Sequence, residues 1–125
     1  MRMIRHIVLI NWKQDARPEQ IDDWILQCNR IPDECSMVYN WYSSQAIAGP
    51  DPDQPKNFST HQFCVMFDLR SGEEWDQYLS HPYPKSVYDE GMKIILLART
   101  ASTNMLVEGE PLRIKSQIET VSSQL

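Results

Sequence analysis

Residues 3–12 read MIRHIVLINW, and their alternation decides how the chain folds. At the two-residue period of a strand, Ile4, His6, Val8, Ile10 and Trp12 share one face, while Arg5, Ile7, Leu9 and Asn11 share the other. Both faces are mostly apolar, which marks a strand in the middle of a sheet that is covered on both sides. The first face also carries an imidazole among Ile, Val and Trp. His6 is therefore either a core group with one satisfied hydrogen bond or a polar group lining a pocket.

Outward from this strand, which is expected to run to about Lys13, turn and helix signals follow in order. Pro18 suits the first turn of a helix, and Ile21, Trp24, Ile25 and Cys28 form its apolar stripe, with Pro32 as its stop. The β-formers of CSMVYNWYSSQAI predict a second strand at about 36–47. Residues 48–58, AGPDPDQPKNF, hold three prolines and read as an exposed loop. A third strand, STHQFCVMFDL, puts Ser59, His61, Phe63, Val65, Phe67 and Leu69 on one face. Ser71 and Glu74 then make a capping box for a helix with Trp75, Tyr78 and Leu79 inward, ended by His81-Pro82. A second helical stretch from Pro84 or Lys85 spaces Val87, Tyr88, Ile94, Ile95 and Ala98 on one face, weakened by Gly91. A last strand covers about 101–108.

The order is βαββααβ, an α+β, ferredoxin-like arrangement: a four-stranded antiparallel sheet with its helices on one face. Helices cover one side of the first strand, so something else must cover Ile7 and Leu9. A second copy of the same sheet does so most simply, which predicts a homodimer. The domain spans 1–108. A tail over 109–125, with a faint helical pattern at Ile114, Ile118, Val121 and Leu125, is expected to pack on the partner.

Composition narrows the function. At 125 residues the chain is one domain that buries roughly two-thirds of its unfolded surface. A formal charge of −5, with Lys and Arg scattered singly, argues against nucleic acid and anionic membranes as partners. The apolar run after Arg2 and Arg5 is short and broken by His6 and Asn11, unlike a secretory signal, and no run approaches the roughly 18 apolar residues of a membrane span. Cys28, Cys35 and Cys64 are odd in number and lack C-x-x-C spacing, as expected of small buried hydrophobes in the reducing cytoplasm. The sequon Asn57-Phe58-Ser59 has no meaning there. No cofactor is expected. No metal is expected either, since antiparallel pairing sends His6 and His61 to opposite ends of their strands and no carboxylate or cysteine supports them.

The stretches MIRHIVLINWK, RPEQI, STHQFCVMF and above all WDQYLSHPYP resemble the stress-responsive dimeric A/B barrel (Dabb) family over residues 3–108. The resemblance implies the same ferredoxin-like order and sheet-to-sheet dimerisation into a dimeric α/β barrel. Some members are plant stress proteins, and a few are polyketide (olivetolic acid) cyclase-type enzymes that close a ring by aldol condensation. In the cyclase type a pocket lies between sheet and helices, and its histidines on the first and third strands match His6 and His61. The tyrosine before the H-P element matches Tyr78, and the H-P histidine matches His81. A further histidine of those cyclases falls at Pro84 here, and proline supplies neither base nor donor.

Tyr78 precedes His81 by three residues, so both can project from one side of a helix end as donor and general base, or serve as core filler and cap. Trp12, Phe63 and Trp75 are the expected apolar walls of a pocket, or simply core. Two readings follow. The first is a dimeric stress-type protein binding a small apolar or aromatic molecule, with His6, His61, Trp12, Phe63 and Trp75 around it. The alternative is a cofactor-free enzyme that transfers protons through Tyr78 and His81. A cofactor-free monooxygenase shares the fold with both but has no motif here.

Overall fold

A computed structural model describes residues 1–46 and 61–114. The chain forms β1 (Arg2–Ile10), α1 (Pro18–Cys28), α2 (Ile31–Glu34), β2 (Tyr39–Gln45), β3 (Phe63–Leu69), α3 (Gly72–Ser80), α4 (Pro82–Gly91) and β4 (Ala101–Glu108), with a 3-10 turn at Leu97–Arg99. The strands make one antiparallel sheet in the order β2-β3-β1-β4. This is the ferredoxin-like α+β fold. The expected loop at 48–58, residue Ser59, the sequon and positions Ile118, Val121 and Leu125 lie outside the described residues.

Register explains the two faces of β1. His6 pairs with Phe67, Val8 with Val65 and Ile10 with Phe63, so all six stand on one face, and all six are buried. Trp24 of α1, Tyr78 of α3 and Val87 of α4 join the same core cluster. On the opposite face Ile7 meets Met66 and Leu9 meets Cys64, and these four are only half-buried within one chain. There the buried Asp68 takes Nε and Nη2 of Arg5 at 2.8 and 3.0 Å and Nδ2 of Asn40 at 2.8 Å.

Several boundaries differ from the sequence expectation, each for a local reason. β1 ends at Ile10 because the next residues turn to the segment after α4: Lys13 N–H donates to Ile94 O, Leu96 N–H to Asn11 O, and Trp12 bridges Ile95. Pro32 does not stop α1. It sits in the first turn of α2, after α1 has ended at Cys28. β2 starts at Tyr39, since residues 36 and 37 form a turn, and an irregularity between Tyr39 and Tyr42 accompanies Asn40 at φ 54°. Leu79 faces outward at 57% exposure, because Tyr78, one residue round the helix, takes the inward direction. α4 begins at Pro82, where a missing N–H is harmless, and ends at Gly91. Ile94 and Ile95 are buried, but through the strand-like return to β1 rather than a helical face, and Ala98 falls in the 3-10 turn.

Gly91 is a packing requirement rather than a weak point in a helix. The Trp24 indole donates Nε1–H to Val87 O at 2.8 Å and so presents its nitrogen edge to the end of α4. A Cβ at position 91 would come within 2.9 Å of Trp24 Nε1 and of Ile95 Cδ1. Gly91→Ala gains up to about 1 kcal/mol in helix propensity yet forces α4 off the indole, and overpacking of this kind costs about 1–3 kcal/mol. The expected outcome in urea unfolding is a destabilised variant. A variant more stable than the wild type would show that α4 is free to shift.

Candidate functional site

Between the buried sheet face and the helices lies a cavity of about 50 Å³. Its floor is His6, Val8 and Ile10 of β1 with Val65 and Phe67 of β3, and Trp24, Cys28 and Ile31 wall one side. Tyr78, Pro84 and Val87 close the helical side, and Tyr88, Met92, Leu97 and Thr100 lead outward. Tyr88 and Leu97 are more than half exposed, so the mouth is here. The Thr100 hydroxyl is committed to Leu96 O at 3.0 Å. His6 and Tyr78 are the buried lining residues that bring an imidazole and a hydroxyl to these apolar walls.

His6 stands in the central strand with 9% exposure. Its ring packs on Phe67, centroids 5.3 Å apart, and on Trp75 at 4.9 Å. Nδ1 is 2.8 Å from Oδ1 of Asn104, its register partner on β4. Nδ1–H therefore donates to the amide oxygen, and Nε2 keeps a lone pair with no protein partner among the described residues. Burial holds the imidazole pKa below the usual 6.5, outweighing the Asn104 bond that favours the cation. His6 is neutral at physiological pH.

Tyr78 is 8% exposed, stacked on Trp75 at 5.7 Å and tilted against Phe67 at 4.9 Å. Phe67 and Trp75 thus fix both His6 and Tyr78. The Tyr78 hydroxyl makes no hydrogen bond among the described residues, and burial pushes its pKa far above 10, so it stays a protonated donor. Burial also raises the thiols of Cys28 to about 12 and Cys35 to about 11, which leaves neither with thiolate character. Among the described residues no group of three or more His, Cys, Asp or Glu side chains is placed to hold a metal ion.

The structure brings together only part of the expected set. His6 and Tyr78 share the cavity. His81 does not: as the extended residue between α3 and α4 it accepts Tyr83 N–H on Nδ1 at 3.1 Å, capping α4, and it lies outside the cavity lining. His61 lies ahead of β3, six residues along from Phe67, the partner of His6, a separation of about 20 Å at strand rise. Trp12 and Phe63 meet Trp24 edge-on at centroid distances of 5.7 and 6.2 Å and each other, tilted, at 5.8 Å, but neither lines the cavity, while Trp75 lies behind its two polar residues. Pro84 does line the cavity, so the place that the resemblance gives to a histidine is filled by a ring without a proton to exchange. Asn104 was missed by sequence reasoning. Its only signal is a lone amide within TNMLV, and its meaning depends on the β1–β4 register.

These positions separate by stability. Tyr78→Phe removes a hydroxyl without a partner among the described residues and is expected to leave thermal stability unchanged or slightly raised, whereas His81→Ala loses a helix cap and about 1 kcal/mol. Parallel melting curves check this. A Tyr78→Phe variant that melts well below His81→Ala would show that the hydroxyl has a protein partner.

No family model matches the sequence, and no curated protein matches it. Solved structures do. A hydroxynitrile lyase from Passiflora edulis superposes with a TM-score of 0.71 at 15% identity, covering 86% of this chain and 95% of that one. A dimeric ferredoxin-like protein of unknown function from Thermobifida fusca gives 0.65 at 20% identity, over 85% and 92%. A Dabb family protein with a ferredoxin-like fold from Mesorhizobium loti gives 0.65 at 16% identity, over 87% and 100%. At these identities the likeness is one of fold, and the fold of this chain is the ferredoxin-like fold shared by Dabb proteins.

Proposed function

We propose that this protein is a cytoplasmic homodimer that binds a small, neutral, apolar or aromatic molecule through one hydroxyl or carbonyl group. The unmatched hydroxyl of Tyr78 carries the reading. A hydroxyl buried without a partner costs about 1–3 kcal/mol, and a ligand oxygen in the cavity relieves that cost. Nε2 of His6 offers the complementary acceptor, so a ligand hydroxyl can accept from Tyr78 and donate to His6. Walls of Val, Ile, Phe and Trp leave a charged ligand without compensation. An apolar cavity of about 150 Å³ takes up a benzene ring. At about 50 Å³ this one encloses the polar head of such a ligand, and the remainder rests on Tyr88, Met92 and Leu97.

The dimer is supported by the open sheet face. Ile7, Leu9, Cys64 and Met66 are half-buried there, flanked by Tyr42 and Met105 at about half exposure. The neighbour from Thermobifida fusca is described as dimeric. No helix among the described residues is long and apolar enough to cross a membrane, and three unpaired cysteines suit a reducing compartment.

One observation favours a catalytic second reading. A neutral His6, oriented by Asn104, is a general base beside the cavity, and Tyr78 is a donor for a developing oxyanion. In that reading the proton-transfer pair of a cofactor-free enzyme is His6 and Tyr78, with His81 kept as a cap.

Thermal shift with paired probes tests the binding. Phenol and benzyl alcohol are expected to raise the melting temperature of the wild type more than benzene and toluene do, and Tyr78→Phe is expected to abolish the difference. Equal shifts from alcohols and hydrocarbons, or a difference that survives Tyr78→Phe, would overturn it. For the dimer, sedimentation at micromolar concentration is expected to give twice the 14.6 kDa chain mass, with Ile7→Glu shifting the population to monomer. A wild-type monomer would sink the dimer.

A further inference from the structure

Residues 109–113 tie the two edges of the sheet together. β4 and β2 are the edge strands, and the chain leaving β4 crosses the end of the sheet to reach β2. Gly109 exchanges hydrogen bonds with Met1, N–H to Met1 O at 3.0 Å and O from the N-terminal ammonium at 2.8 Å. Asn40 takes the segment next. Its Nδ2 donates to Glu110 O at 2.9 Å, its Oδ1 accepts Leu112 N–H at 3.0 Å, and its own N–H donates to Leu112 O at 2.8 Å. Asn40 sits at φ 54°, in the left-handed region that Asn enters more readily than most L residues, and its bonds to Glu110 and Leu112 secure it there.

Arg113 then spans α2. Its Nη1 donates to Cys35 O at 3.0 Å and Val38 O at 2.7 Å, and its Nη2 to Pro32 O at 2.8 Å. α2 has four residues, too few to hold itself as a helix. The guanidinium ties one of its carbonyls, Pro32 O, to Cys35 O and Val38 O in the turn that follows. The consequence reaches the cavity, because Ile31, next to Pro32, and Cys28 at the end of α1 form its wall.

We propose that Gly109–Arg113 is a clasp on the cavity: when it lets go, α2 swings outward and the wall of Cys28 and Ile31 opens as a second entrance. The regulatory sense of the clasp rests on the cavity being a binding site, as proposed above, whereas the opening itself does not. Cys28 and Cys35, 3% and 0% exposed, report on it directly.

Alkylation of the full-length protein by iodoacetamide, followed site by site by mass spectrometry, tests the clasp. Arg113→Ala is expected to accelerate labelling of both Cys28 and Cys35 more than about tenfold while Cys64 keeps its wild-type rate, the pattern of a local opening. Ser71→Ala, which removes the cap on α3, is the control for general loosening. Acceleration in Arg113→Ala no greater than in Ser71→Ala overturns the clasp, and acceleration at Cys35 without Cys28 overturns the entrance. Should Arg113→Ala not fold, Leu112→Pro deletes the N–H held by Asn40 at an exposed residue and is judged by the same rates. The readout needs no ligand. Failure of the phenol probes therefore leaves it standing, and probe binding without altered labelling overturns the clasp alone.

Discussion

Everything in this molecule hangs on the pairing of β1 with β3, Ile4 opposite Leu69 through Ile10 opposite Phe63. A slip by one residue would exchange His6, Val8 and Ile10 for Arg5, Ile7 and Leu9 beneath the helices. Arg5 would then lie under Tyr78, and the Arg5–Asp68 pair that fixes the other face would be lost. The correct register places Phe67 beside His6, and Phe67 in turn supports Trp41, stacked on it at 5.6 Å, and Tyr78. One aromatic ring in the centre of the sheet thus relates the second strand, the third helix and the cavity floor.

The site is an unfinished polar arrangement in an otherwise finished core. Most buried polar groups here are matched: Trp24 with Val87 O, Asn11 with Arg99 O, Asp68 with Arg5 and Asn40. Among the described residues, His6 Nε2 and the Tyr78 hydroxyl depart from this pattern. A Phe at 78 would fill the same space, since the ring stacks and the oxygen bonds to nothing described. That unmatched hydroxyl is the observation on which the proposed role in recognition or proton transfer rests.

The fold was legible because its signals are local and periodic. β1 alternates, Ser71 and Glu74 announce α3, and Pro18 opens α1, each within a few residues of sequence. His6 and Tyr78 were legible as candidates because a polar group on an apolar face stands out. Their company was not. His81 and His61 carry the same chemistry, and only a cap bond to Tyr83 and a long offset along the sheet separate them from the cavity. Asn104 and Arg113 act through contacts 98 and 75 to 81 residues away, and no pattern in one sequence reports such distances.

His81 gives the α3–α4 corner an unusual economy. The same residue closes one helix with its N–H on Tyr78 O and opens the next with its ring on Tyr83 N–H. No spacer residue lies between them to absorb a change in length. An inserted residue would have to break or re-form these two bonds and would shift Pro84 and Val87 relative to Tyr78. In evolutionary terms this corner can trade side chains but cannot grow. Variation in the shape of the cavity is therefore left to substitutions along its walls and to the longer connections elsewhere in the chain.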